Sequence, residues 1–398
     1  MPRLRARKAR NGGGVCRAPR RRTFTDGPGT GVPTRATRPA PSPAKRGGRN
    51  ILAVAATLHE ARWSEPIPGR PGAVRCVLCP RGCRLGEGQA GFCAVRENRG
   101  GRLVLATWGR TTGFAVDPIE KKPLSHFHPG ATVLSFGTAG CNLGCRFCQN
   151  WSISKARTDL VCSEDEWDPA RVVALARREG TPGLAFTYND PIIWAEYALD
   201  LAEEAHRAGL FTVFVTNGYV SPAARAELVP AMDAANVDLK AFTEGFYARQ
   251  TLSHLAPVLD TLDWLARDGR TWVEVTNLLI PGLNDDPDET RALARWLVEH
   301  MGRDVPLHLS AFHPAFQLTD RPRTPAATLT RARELAMEAG LRYVYTGNVF
   351  DPAGQTTWCP GCGAAVIERD GFAVGAVRLA GGACAACGTP IAGRFVEG

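Results

Sequence analysis

No stretch of this chain is apolar for long enough to cross a bilayer. The longest candidate, residues 51–58, falls well short of the roughly 20 residues that a spanning helix needs. The basic start is not followed by the apolar segment of a secretory signal, so the expected location is the cytoplasm and no membrane partner is expected. Disulfides are not expected in that reducing compartment. No glycine-rich dinucleotide fingerprint follows any strand-like run. Aromatic residues make up only 8% of the 398 and form no ordered platform for stacking bases.

Acid is almost missing from the first fifty residues, where Asp26 stands alone against 14 Lys and Arg. The net +13 there is offset by a net −4 over the rest, so the overall +9 belongs to an arm. Rich in Pro, Gly and Arg, residues 1–50 have too little apolar surface to offset their conformational entropy and are expected to be disordered. A dispensable extension and a contact for nucleic acid or an acidic partner are the two readings of that arm.

Cysteine, by contrast, is abundant: 13 thiols, of which eleven fall into three tight groups and only Cys16 and Cys162 stand apart. Clustered thiols in a reducing compartment point to metal. In the first group Cys76, Cys79, Cys83 and Cys93 lie within eighteen residues on a loop carrying Gly and Pro. Tetrahedral zinc and a small Fe–S cluster both satisfy four such thiols. The last group, Cys359-Pro-Gly-Cys362 and Cys384-Ala-Ala-Cys387, is a pair of CxxC knuckles, each followed by glycine (Gly363, Gly388). That spacing predicts a structural zinc ribbon, with recruitment of a partner as the sharper alternative.

The middle group offers three ligands instead of four: Cys141-Asn-Leu-Gly-Cys145-Arg-Phe-Cys148. Three thiolates on a four-iron cubane leave one iron open, and an open coordination position implies chemistry at the metal. The run 132–136 reads as a buried strand, and Gly137, Gly140 and Gly144 mark a loop at its C-terminal end.

Downstream, β-type runs at 183–188, 211–216, 237–241, 271–280, 307–312 and 343–346 alternate with helical patterns at 192–208, 222–232, 257–267, 288–300 and 325–339. This alternation predicts an α/β fold whose parallel sheet forms a partial (β/α) TIM-type barrel. The expected domains are the extension 1–50, an N-terminal four-cysteine module 51–125, the barrel 126–350 and the ribbon 351–398. Polar residues recur at strand C-termini, the active face of such barrels: Asn189 and Asp190, Thr216 and Asn217, then Asp238 and Lys240 in a D-x-K arrangement. Turn chemistry at Asn217-Gly218, a salt bridge at Asp238/Lys240 and a packing role for His313 are the structural alternatives. Lys121 and Lys122 read as a solvated pair or a contact for a partner enzyme.

CxxxCxΦC, with aromatic Phe147 before the last cysteine, resembles the signature of the radical S-adenosylmethionine (SAM) family. The likeness extends through Cys76 to Cys93, Asp117-Pro-Ile-Glu-Lys-Lys-Pro-Leu124, Cys141 to Ser154, Thr187-Tyr-Asn-Asp-Pro191, Val237-Asp-Leu-Lys240 and Asn277-Leu-Leu-Ile-Pro-Gly-Leu-Asn284. It is strongest to the branch of pyruvate formate-lyase activating enzymes and, within it, to AmmeMemoRadiSam-type enzymes. The resemblance implies a [4Fe–4S] cluster on Cys141, Cys145 and Cys148 that cleaves SAM to a 5′-deoxyadenosyl radical. It implies an electron donor such as flavodoxin or ferredoxin, and a substrate that the sequence does not name, a partner protein included. It also implies SAM contacts near Phe147, Asn189, Asp190, Thr216, Asn217, Asp238, Lys240 and His313. Asp190 departs from the Glu usual in the related string and is shorter by one methylene. A metal-bearing nucleic-acid-binding or RNA-modifying protein, using the arm and the ribbon, is the competing class.

Overall fold

The computed structural model describes residues 59–156 and 165–395; the basic extension, Cys16 and Cys162 lie outside these. Eight strands form one sheet in strict sequence order: β1 (Phe114–Pro118), β2 (Thr132–Phe136), β3 (Gly183–Phe186), β4 (Phe211–Thr216), β5 (Ala234–Asp238), β6 (Trp272–Leu279), β7 (Leu307–Ala311) and β8 (Val344–Gly347). β1 runs antiparallel to β2, and every later neighbour is parallel. Each parallel crossover carries a helix: α1 (Pro169–Arg178), α2 (Ala195–Arg207), α3 (Pro222–Leu228), α4 (Ala256–Asp268), α5 (Pro287–Met301) and α6 (Ala326–Glu338).

All four residues of β3, Gly-Leu-Ala-Phe, are buried, as expected of a parallel strand covered on both faces. Helix starts follow local chemistry. Asp168, Ser221 and Asp286 each accept a backbone N–H of the first turn, and proline follows each of them.

Differences from the expectation have local causes. β5 starts three residues before 237, because Ala234, Ala235 and Asn236 are small enough to be fully buried without being strong strand formers. The 192–208 helix opens with a 3-10 turn at Pro191–Trp194 before α2 begins. α1 occupies a stretch in which no helix was expected, and the barrel sheet takes in β1, N-terminal to residue 126. Lys122 is not solvated: it is 2% exposed and pairs with Asp117 at 2.7 Å, which also accepts from Lys121 and Tyr188.

Ahead of the barrel, Ser64–Pro66, Val74–Cys76 and Arg84–Leu85 form a small antiparallel sheet beside a hairpin of Arg96–Arg99 and Arg102–Leu105. Arg96 fixes this segment to α2 through a buried two-pronged pair with Glu196 at 2.7 and 2.8 Å. After the barrel, Thr357–Trp358, Ala365–Asp370 and Ala373–Val377 make a three-stranded sheet. This segment docks at the N-terminal ends of the strands. Arg394 donates from its backbone to the His126 carbonyl (2.7 Å) and from its side chain to that of Asp233, just before β5 (3.2 Å). Arg369 reaches the Ser125 carbonyl at 2.6 Å.

Candidate active site and metal centres

The cysteine loop leaves β2 at Phe136 and is tied down on three sides. Its glycines allow close approach: a Cβ on Gly140, where φ is +81°, would sit 2.0 Å from the Cys93 carbonyl oxygen, and one on Gly144 would strike Leu252. Gly144 and Arg146 donate to the carbonyls of Thr251 and Gln250 at 2.8 and 2.9 Å. Lys155 donates to the Leu143 carbonyl. Asn189 braces the loop from β3, its amide donating to Thr138 Oγ1 (3.0 Å), the Ala139 carbonyl (3.2 Å) and the Gly140 carbonyl (3.0 Å).

Cys141, Cys145 and Cys148 line a cavity of about 270 Å³ at the C-terminal ends of the strands. Phe147, Asn189, Asp190, Thr216, Asn217, Asp238 and Lys240 share its wall. His313 does not; it is half-buried after β7, outside the lining. Thr276 in the middle of β6, Ser310 near the end of β7 and Asn348 just past β8 also line the cavity. These three were not singled out in the sequence, although its position near a strand end marks Ser310. Thr276 is nearly buried and its hydroxyl has no partner among the described residues, so it is available to a ligand.

Each polar group has a definable state. Asp190 accepts from the Ile192 and Asn217 backbones (2.9 and 2.7 Å) and from Thr216 Oγ1. Burial nevertheless outweighs these bonds and pushes its carboxyl up to about 6, with the Asp238 charge adding to the effect. Asn217 bonds the side chain of Asn142, next to Cys141, at 2.8 Å. Lys240 Nζ meets Asp238 Oδ2 at 2.6 Å. Burial opposes the lysine's charge, but Asp238 and the neighbouring thiols hold its pKa above the ordinary value. Burial raises the Cys141 and Cys145 thiols to about 12 and about 11, so a metal that binds there must displace protons.

The donor set fits an iron–sulfur cubane with one open iron: three sulfurs, no fourth cysteine and no histidine among the described residues that line the cavity, and walls that carry a carboxylate, an ammonium group, amides and a hydroxyl unpartnered among those residues.

The C-terminal quartet differs in spacing. Cys359 and Cys387 sulfurs are 3.5 Å apart, those of Cys362 and Cys384 3.9 Å, and all four lie within 4.8 Å of one another. A tetrahedron with roughly 2.3 Å metal–sulfur bonds has edges of about 3.8 Å. The upstream Cys76, Cys79, Cys83 and Cys93 surround a separate small cavity against Leu78, Arg96, Asn142 and Ile193.

Residues 136–294 match the model of the Radical SAM superfamily. The uncharacterized protein MJ0808 of Methanocaldococcus jannaschii is 42% identical over 312 residues, which cover 78% of this chain and 92% of that protein. Among solved structures, similarity extends to a domain of pyruvate-formate lyase-activating enzyme from Bacteroides vulgatus (15% identity, TM-score 0.38, 42% of this chain and 99% of that one). It extends also to a radical SAM methyltransferase from Sphaerobacter thermophilus (18% identity, TM-score 0.46, 56% and 68%).

Proposed function

Because this chain belongs to the radical SAM superfamily, we propose that it is an activating-enzyme-like member, close to the AmmeMemoRadiSam type, that abstracts hydrogen from a substrate held at the mouth of the 270 Å³ cavity. The observation that carries this reading is the convergence of Cys141, Cys145 and Cys148 with Asp190 and Lys240 on one cavity wall. When bound, the [4Fe–4S] cluster supplies the electron that splits SAM into methionine and a 5′-deoxyadenosyl radical.

The chain's own groups bind and orient. Lys240 offers a cation to the SAM carboxylate, and Asp238 keeps that lysine charged and fixed at 2.6 Å. Asp190 offers a carboxylate to the SAM ammonium group. Its held position depends on the Asn217 and Ile192 backbones. Thr276 brings an unengaged hydroxyl, and Asn189 keeps the cysteine loop in place without spending that wall on solvent. Burial of Phe147, Leu143 and Cys145 excludes water from the side of the cavity where a carbon radical would be quenched.

In this reading a zinc ion on Cys359, Cys362, Cys384 and Cys387 folds the C-terminal segment. Its support is the sulfur spacing, which matches a single tetrahedral ion. The substrate is a small molecule or a partner protein; the cavity walls carry no code that names it.

The test is direct. Anaerobically reconstituted protein with dithionite should release 5′-deoxyadenosine from SAM, and Cys145→Ala should release none. A full cluster with no cleavage would overturn the proposal.

A further inference from the structure

We infer that Cys76, Cys79, Cys83 and Cys93 hold a second [4Fe–4S] cluster, packed against the first and placed to pass electrons to it. The molecule contains its own ruler for this assignment. In the C-terminal quartet all four sulfurs lie within 4.8 Å of one another, as one metal ion requires. Among the described residues no other three cysteine, histidine or carboxylate ligand atoms come so close together, and so the upstream sulfurs stand farther apart. The same openness holds for Cys141, Cys145 and Cys148.

The space between the upstream thiols is real. A cavity of about 20 Å³ lies among them. A water is a poor occupant, because it needs two to four polar partners, and Leu78 and Ile193 offer none. Asn142 has both ends of its side chain engaged, with Tyr219 and with Asn217. The one unspent polar atom on the wall is Arg96 Nε, which has no partner although the residue is only 1% exposed. Its other nitrogens are taken by Glu196 and the Arg62 carbonyl. An N–H left over beside four thiols suits cluster sulfur as acceptor, and such bonds tune cluster potential. Four protein ligands close every iron, so this site carries electrons without binding substrate.

Its position fits that task. Cys79 and Cys83 are half-buried, whereas Cys76 and Cys93 are buried. Inward, the Cys93 carbonyl lies against the Gly140 backbone, one residue from Cys141. Asn142 forms part of the wall of the upstream cavity. One electron from a low-potential donor protein enters at the exposed edge and leaves to the first cluster, with no bond made and no proton moved. This relay role rests on the proposed function; occupancy of the site does not.

The experiment counts metal in full-length protein reconstituted anaerobically with iron and sulfide. Wild type should hold about eight irons and one zinc, and a variant with Cys141, Cys145 and Cys148 all changed to Ala about four irons, four sulfides and one zinc. About two zincs and no iron in that variant, or about two irons, would overturn the assignment. Wild-type protein is an independent check should the variant fold poorly. Reduced with dithionite, it should show about two interacting spins by electron paramagnetic resonance, and a single isolated spin is the contrary result. Four irons retained by the triple variant, together with wild type inert toward SAM, would reject the function and keep the site.

Discussion

The carboxylate of Asp190 accepts the backbone N–H of Asn217 at 2.7 Å, which ties the end of β3 to the end of β4 beneath the cavity. Burial holds this carboxyl at about 6 against an ordinary 3.8. In the native protein it therefore binds a proton more readily than in the unfolded chain. Stability should fall as pH rises from about 4 to about 6, by about 3 kcal/mol from this group alone. Asp190→Asn should abolish that contribution, measured as the difference in denaturation midpoint between pH 5 and pH 6.5.

His126 should produce the opposite slope. Burial lowers its pKa to about 4 against the pull of Glu274, and its ring bonds Tyr345 and the Ala392 carbonyl at 2.5 Å. Stability tied to the neutral ring is complete above 6.5 and is lost as pH falls toward 4, again by about 3 kcal/mol. The two contributions oppose each other over one window and largely cancel. His126→Gln should therefore make stability fall more steeply with rising pH than in wild type, and an unchanged pH dependence would contradict the His126 assignment.

Gly140→Ala should damage the metal centres without removing a ligand. The added methyl would meet the Cys93 carbonyl, and φ of +81° is strained for any side chain. A loss of at least about 2 kcal/mol is expected, together with iron content reduced from the wild-type level. Full iron loading with an unchanged melting temperature would show that the two cysteine loops are not in contact.

Removing Lys240 tests the recognition of SAM separately from its cleavage. Lys240→Ala should weaken SAM binding by about tenfold, about 1.4 kcal/mol, in cluster-loaded protein. Lys240→Arg should restore part of it. Calorimetric titration reads both; equal affinities in all three proteins would remove Lys240 from the binding wall.

Cys384→Ser should release about one zinc and make residues 351–395 sensitive to protease, while iron content stays at the wild-type level. Loss of iron without loss of zinc would reverse the assignment of that quartet.

How much of this was legible depended on how local the signal was. Cysteine spacing, proline at helix starts and strand-end polarity are written in neighbouring residues, and they marked the triad, most of the crossovers and about half of the cavity wall. Lys122 misled because its partner, Asp117, makes it a buried cation, and burial is not encoded in a lysine doublet. Asn189 lines the cavity but spends its amide on the cysteine loop, a bond between residues about fifty positions apart that no periodicity reports. Ser310 was within reach of the strand-end argument; Thr276, in the middle of the long β6, was not, nor was Asn348, which sits past β8 with φ of +60°. His313 follows the right strand but is not among the residues that line the cavity.

The C-terminal segment docks where the strands begin, against His126, Ser125 and Asp233, and the triad lies where they finish. A five-residue strand spans about 17 Å. Anything grasped by the segment is therefore held at the heel of the molecule, at least that far from the mouth. A short partner caught there would never be touched by the chemistry. For practical handling, the protein can be anchored to a surface through that end and still receive its substrate unobstructed at the other.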